Sequence, residues 1–237
     1  MSELLEQSLA SIVSKHHEAA VVFEKYELDF CCKGKRSLQD ACDEHQLQAL
    51  TVAEEIIKSI DQFVPSHLPF TEMTAEELIN YIVIHHHFYV KQTIPVIFTH
   101  LEKVAYKHGE RFPFMIEVYR LFAEVRHELT DHLYKEETIL FPRIKQLGKM
   151  EIQEKEVVTG SGYIQGPVQV MEMEHDHAGD LLQKIRHLTN NYTPPAGACT
   201  TFRLSLEELK AFEEDLHKHV HLENHILFPK ALQMQGI

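Results

Sequence analysis

The 237-residue sequence is short of several things at once. Basic residues are few: 23 Lys and Arg face 36 Asp and Glu, a formal charge of −13, which argues against a surface built to neutralise phosphates and so against nucleic acid as a partner. No apolar run approaches the roughly 18 residues that a membrane span needs. The acidic start, with Glu3 and Glu6, lacks the basic flank and apolar centre of a secretory signal, so a soluble cytoplasmic chain with no membrane partner is expected. Cysteines number only four, and Cys31, Cys32, Cys42 and Cys199 match neither a secreted disulfide framework nor a paired Cys-x-x-Cys zinc site. They suit a reducing compartment. Glycine is scarce as well, at 9 residues where soluble proteins devote about 7% of the chain to it.

What the sequence has instead is histidine, 18 residues of it. Between its Gly and Pro marks the apolar pattern has helical rather than alternating spacing, which predicts an all-α fold. Residues 1–63 read as a small helical N-terminal domain around Asp29-Phe30-Cys31-Cys32-Lys33-Gly34-Lys35. Val64-Pro65-Ser66-His67-Leu68-Pro69 reads as a linker, because two prolines so close together favour extended backbone. Thr71 or Thr74 can then cap a helix whose first turn holds Glu76 and Glu77. Four long helices follow over 71–237, at roughly 74–107, 113–147, 167–191 and 200–233, separated by Lys107-His108-Gly109, the stretch Gly148 to Pro167, and Pro194-Pro195-Ala196-Gly197. Mostly short connections predict an up-down-up-down four-helix bundle.

The second half of that region repeats the first. His132-x-x-x-Glu136-x-x-Ile-Leu-Phe-Pro142 matches His219-x-x-x-Glu223-x-x-Ile-Leu-Phe-Pro229 at all six fixed positions, 87 residues apart. His87 and His175 precede the two copies by nearly equal distances. A bundle made from two helix pairs explains the repeat.

The chemistry follows from the seams. On the second helix Phe122, Val125 and Leu129 lead to His132, Glu136 and Leu140; on the fourth, Leu206, Leu209, Phe212 and Leu216 lead to His219, Glu223 and Leu227. Each His and Glu therefore sits on the stripe that faces the core. Buried carboxylates beside buried imidazoles are costly unless a cation neutralises them. On the third helix Val168, Met171, Ala178, Leu182 and Ile185 put His175 inside. On the first, His87 alone of His85, His86 and His87 falls on the best seam, with Ile79, Val83, Val90, Ile94, Ile97 and Leu101, and His86 is the runner-up. A single core His is more often structural than a ligand, but the duplicated His-x-x-x-Glu pair points to a metal site.

Six candidate ligands, His87, His132, Glu136, His175, His219 and Glu223, exceed the needs of a tetrahedral zinc. Two carboxylates from opposite helices can each bridge ions about 3.5–4 Å apart. Mixed imidazole and carboxylate donors suit iron or manganese, so two non-haem irons are expected, completed by an oxo or hydroxo bridge. The remaining histidines, His217, His221 and His225 among them, read as surface residues or as supports behind the ligands.

These residues carry a resemblance. His87, His132-x-x-x-Glu136, Glu174-His175 and His219-x-x-x-Glu223, with the two Ile-Leu-Phe-Pro tails, resemble the hemerythrin-like domain of the bacterial repair of iron centres family. Leu28-Asp29-Phe30-Cys31-Cys32-Lys33-Gly34-Lys35 resembles that family's ScdA-type N-terminal domain. The resemblance spans essentially the whole chain and implies a di-iron protein that restores iron–sulfur clusters damaged by nitric oxide or peroxide. It places the family's ligands on the same six residues and acidic residues near the iron pair at Glu128 and Glu174. For Glu128, one turn before His132, an outer proton-relay role and a plain surface role both fit. Two departures stand out. Lys33 occupies a position where the family's Cys-Cys-Gly-Gly stretch has Gly. Gly179 stands four residues after His175, where oxygen-carrying hemerythrins have a second His, so one iron loses an imidazole and gains an open position.

The leading functional expectation is a stress-response repair protein with damaged iron–sulfur proteins as partners and nitric oxide or oxygen as small ligands. Cys31 and Cys32 would engage the client or a thiol-bound intermediate, since a thiolate is a soft iron ligand. A buried, inert packing role is the competing reading of these cysteines. An oxygen or nitric oxide carrier or sensor is the alternative function, mildly disfavoured because the sequence has no fused signalling domain. Ferritin-like oxidase chemistry ranks last, since it uses Glu-x-x-His pairs. A homodimer is compatible with the sequence.

Overall fold

The computed structural model describes residues 2–62, 69–152, 160 and 162–236. The expected linker at 64–68 lies outside the described residues. Among the described residues there is no strand, and one isolated bridge joins Ser8 to Ser37. Among the same residues no helix is long and apolar enough to cross a membrane.

The N-terminal segment forms α1 (Ser2–Glu6), α2 (Leu9–Lys15), α3 (Ala19–Lys25), α4 (Leu38–Glu44) and α5 (Ala49–Gln62). Ser8 and Ser37 start α2 and α4 by accepting the N–H groups of Ser11 and Asp40, which leaves fewer orphan donors in each first turn. The first long rod begins at α6 (Ala75–Ile82). Of the two cap candidates Thr74 is used, in a reciprocal capping box with Glu77.

That rod continues through a π-helical turn, Val83–His87, into α7 (Phe88–His108). The second rod is α8 (Phe114–Lys135), a π turn Glu136–Leu140 and α9 (Phe141–Ile152). The third is the single helix α10 (Gly162–Leu188). The fourth is α11 (Thr200–Leu222), a π turn Glu223–Leu227 and α12 (Phe228–Met234). Pro142 and Pro229 stand in the turn that follows two of the π turns. A proline inside a helix has no N–H to give and its ring crowds the carbonyl four residues back, so a widened turn just before it relieves both conflicts.

The third rod starts earlier than its glycine and proline suggest, because α10 runs through Gly166 and Pro167. Pro167 leaves the carbonyl of Tyr163 without its helical donor, and the Arg143 guanidinium from α9 donates to that oxygen at 2.9 Å. A partner on the next rod thus offsets the break that the proline would otherwise cause.

The rods pair antiparallel. Along α7 and α11, His86 meets Asp215 and His100 meets Glu208; along α10 and α11, Arg186 meets Glu213 and His175 meets Asn224. Two apolar clusters fill the bundle. One, with Leu78, Ile82, Leu140, Phe141, Val168 and Leu227, occupies one end. The other takes Val90, Ile97, Leu129, Leu182 and Phe212 from the bundle and is continuous with Leu9, Phe23, Phe30, Leu38 and Ile56 of the N-terminal helices. The N-terminal unit and the bundle therefore share one core.

Candidate metal centre

The layer between the two apolar clusters is polar. His87 ends the first π turn, Glu136 and Glu223 begin the other two, His132 and His219 stand four residues earlier on α8 and α11, and His175 comes from the middle of α10. All six are buried, Glu136 and Glu223 to 0% exposure. The structure brings together the six residues that the seams select, and of the histidine triplet it brings His87.

His87, Glu136, His219 and Glu223 each present a donor atom within 4.8 Å of the others, and so do His132, Glu136, His175 and Glu223. Both carboxylates belong to both sets. The Nε2 atoms face each other at 3.2 Å between His87 and His219 and at 3.0 Å between His132 and His175. The carboxylate oxygens stand 3.4 Å from His87, 3.3 Å from His132, 3.2 Å from His175 and 3.1 Å from His219. Yet none of the four oxygens of Glu136 and Glu223 has a hydrogen-bond partner among the described residues. Such carboxylates in a buried layer are a severe cost unless cations meet them. Two donors at right angles about an ion, each about 2.1 Å away, lie about 3.0 Å apart, so the paired nitrogens are spaced to share a cation. The donor set fits metal.

Electrostatics agree. Burial works against charging His87 and His132, but the facing carboxylates overcome it and push each up to about 10. Burial likewise opposes ionisation of Glu223, and His219, His175 and His87 hold it well below the ordinary carboxylate range. Without a cation, the layer balances its two carboxylates with protons on imidazole.

Behind the donors stands a set of orienting groups. His87 Nδ1 donates to Glu137 at 2.7 Å, His132 Nδ1 to Glu174 at 2.9 Å and His175 Nδ1 to the Asn224 side-chain oxygen at 2.9 Å. Each bond keeps a proton on Nδ1, so Nε2 is the nitrogen that turns a lone pair inward when a cation displaces its own proton. Lys91 pairs with Glu137 and Lys135 with Glu174, and the bond from His132 holds Glu174 down to about 2. His219 differs: its Nδ1 is buried without a partner, while the ring of His86 stacks on it at 5.5 Å. His86 itself bonds Asp215.

Glu174 is thus at the centre, and Glu128 is not. Glu128 is half-buried on α8 and makes no hydrogen bond or ion pair among the described residues. Glu137 and Asn224, which sequence reasoning passes over, each follow a ligand in the chain and hold an imidazole from another helix. Their signal is adjacency to the repeated Glu.

The N-terminal loop closes over α10 and α11. Cys31 is buried and Cys32 half-exposed, both in irregular backbone rather than on a helix. The hydrogen bond to Cys32, burial and the Asp29 charge push the Cys31 thiol well up. Lys33 needs no left-handed backbone. The glycine that matters is Gly34, where a Cβ would run into the Phe30 carbonyl. His217, His221 and His225, expected at the surface or behind the ligands, form the seat of this loop. His217 bonds Glu24, His221 bonds Ser14, and His225 donates to the Cys31 carbonyl at 2.6 Å. Burial pushes His221 down to about 3, so it sits there neutral.

Comparison with known proteins follows the same division. The Hemerythrin HHE cation binding domain matches residues 78–231, and ScdA_N, described as a domain of unknown function (DUF542), matches residues 5–59. The chain is similar to proteins named iron-sulfur cluster repair protein YtfE. It is 34% identical over 228 residues to that of Escherichia coli O81 (strain ED1a) and 33% identical to those of Enterobacter sp. (strain 638) and Escherichia fergusonii, in each case across 96% of this chain and 97% of the relative.

Proposed function

The chain belongs to the hemerythrin HHE cation binding family in its ScdA_N-bearing form, and from that premise we propose that it repairs iron–sulfur clusters damaged by nitrosative or oxidative stress, using two irons in its bundle. The observation that carries this reading is the pair of overlapping donor sets that share Glu136 and Glu223. His87 and His219 would hold one ion, His132 and His175 the other, with the two carboxylates between them. Bound there, irons would supply electrons for reduction of nitric oxide or iron for a depleted cluster.

The chain's own groups have definite parts. The apolar clusters on either side exclude water from the layer. Glu137 with Lys91, and Glu174 with Lys135, fix the inward tautomer of His87 and His132. Glu174 also stands ready to take or return a proton at His132 Nδ1. Gly179, one turn past His175, leaves its face to Cys32 rather than to a further imidazole, which favours exchange with a client over reversible carriage of oxygen.

Metal analysis with an electronic spectrum tests the pair, and reactivation of a nitric-oxide-damaged [4Fe–4S] enzyme tests the repair. We expect two irons per chain, at most one in Glu136→Ala or Glu223→Ala, and renewed enzyme activity only with the loaded protein. Full iron occupancy in both variants, or no reactivation by the loaded protein, overturns the reading.

A further inference from the structure

Away from the bundle layer one other group of side chains among the described residues gathers metal-ligating atoms. Asp29, Cys31 and Cys32 bring a carboxylate oxygen and two sulfurs within 4.8 Å of one another. The two Sγ atoms are 3.8 Å apart, and Cys31 Sγ is 3.2 Å from Asp29 Oδ1. Two sulfurs bound at about 2.3 Å to one tetrahedral ion lie about 3.8 Å apart, so the pair is already at ligating separation.

The loop is built to keep it so. Asp29 Oδ1 accepts the N–H groups of Cys31 at 3.0 Å and Cys32 at 2.9 Å, which locks the carboxylate against both residues. His225 clamps the Cys31 carbonyl from the π turn that follows α11, and Gly34 permits the close return of the chain past Phe30. Adjacent side chains on a regular helix or strand diverge; here an irregular turn makes them converge. Cys32 then opens on a cleft of about 690 Å³ that Arg36, Asp176, Gly179 and His217 also line.

We propose that Asp29, Cys31 and Cys32 form a second cation site, for one thiophilic divalent ion. Two sulfurs and one oxygen select ferrous iron or zinc and reject magnesium and calcium, which require oxygen donors. On binding, the two thiols release their protons to solvent and the ion takes both thiolates and the carboxylate. The fourth position faces the cleft, where water or a client's ligand completes it. The site stands on the geometry of the N-terminal loop and does not depend on what the bundle holds.

The test is an anaerobic titration of the reduced full-length protein with cobalt(II), read by thiolate-to-cobalt charge-transfer absorption. Imidazoles and carboxylates give no such band, so cobalt in the bundle stays silent in this readout. The band should saturate at the intensity of one cobalt held by two thiolates per chain, whatever further cobalt the bundle takes up, and vanish in Cys31→Ser and in Cys32→Ser. It should persist in Cys42→Ala and Cys199→Ser, and need at least about tenfold more cobalt in Asp29→Asn. Zinc, or ferrous iron in large excess, should erase it, and magnesium should not. A wild-type protein without the band, a band that survives Cys32→Ser, or an unchanged affinity in Asp29→Asn overturns the proposal. A measurement free of variants guards against misfolding: zinc should protect Cys32 of the wild-type protein from alkylation, and an unchanged rate also overturns it. Glu136→Ala separates the two readings, because loss of the bundle metals with the sulfur band intact leaves this site standing.

Discussion

The Cys32 sulfur lies 3.6 Å from where a β-carbon on Gly179 would stand, an ordinary van der Waals contact across the seam between the N-terminal loop and α10. A methyl group meets nothing closer there, and the longer branch of a leucine would reach past it toward the sulfur. Gly179→Ala should therefore raise stability by roughly 0.5–1 kcal/mol, the usual gain for replacing a mid-helix glycine. Gly179→Leu should lower Tm and speed alkylation of Cys32, because the loop must move off. Equal alkylation rates in the two variants would show that loop and helix do not touch in solution.

The carboxylates behind the imidazoles should matter nearly as much as the ligands. Glu137→Ala and Glu174→Ala remove the acceptors of His87 and His132 and should weaken iron binding by about 10–100-fold while the far-ultraviolet circular dichroism stays the same. Glu128→Ala should leave affinity unchanged. Competition against a chelator of known strength measures all three, and a large loss in Glu128→Ala would contradict the placement described above.

Iron binding should be coupled to protons. In the metal-free protein His87 and His132 are each pushed up to about 10, so both are charged at neutral pH. A cation needs the Nε2 lone pairs, so loading should release about two protons per chain and affinity should rise with pH up to that value. Titration calorimetry in two buffers of different ionisation enthalpy counts the protons. A count near zero at neutral pH would mean that the layer is charged differently.

Arg186 should be costly to remove. Its guanidinium reaches Glu213 at 2.8 Å and Glu24 at 3.4 Å, tying α10 to α11 and α3. Glu213 is only 2% exposed. In Arg186→Ala it would keep just the Tyr192 hydroxyl, which donates to it at 2.7 Å, so a loss of about 3–5 kcal/mol is expected from the uncompensated charge. Urea unfolding at a constant m-value measures this; a loss below about 1 kcal/mol would mean that water reaches the pair.

The buried layer of His and Glu is legible in the sequence because burial makes it so. A Glu on an apolar stripe, repeated 87 residues later, has few explanations that physics tolerates. The π turns are not legible from periodicity, since one added residue per rod lies within the error of any seam; the Phe-Pro pairs at 141–142 and 228–229 are their only trace. Pro167 reads as a boundary because the donor that rescues its helix, Arg143, comes from another rod. Glu137 and Asn224 point away from their own helix's seam and acquire a role only once a neighbouring imidazole is in place. His217, His221 and His225 read as outward because the helices that cover that face of α11 come from the far end of the chain.

That last arrangement governs how the protein is made. Cys31 leaves the ribosome 194 residues before His225, the side chain that clamps its carbonyl. At about 5–20 residues per second the vicinal thiols wait roughly ten to forty seconds for their seat. During that interval Phe23, Phe30 and Ile56 lack the bundle half of their core, and the thiols face the cell's reductants and metals uncovered. The last rod to emerge, α11 with the π turn after it, seats the loop and in the same movement delivers His219 and Glu223 to the bundle layer. Seating of the cysteine loop and assembly of the second donor pair are thus a single event in the birth of the chain.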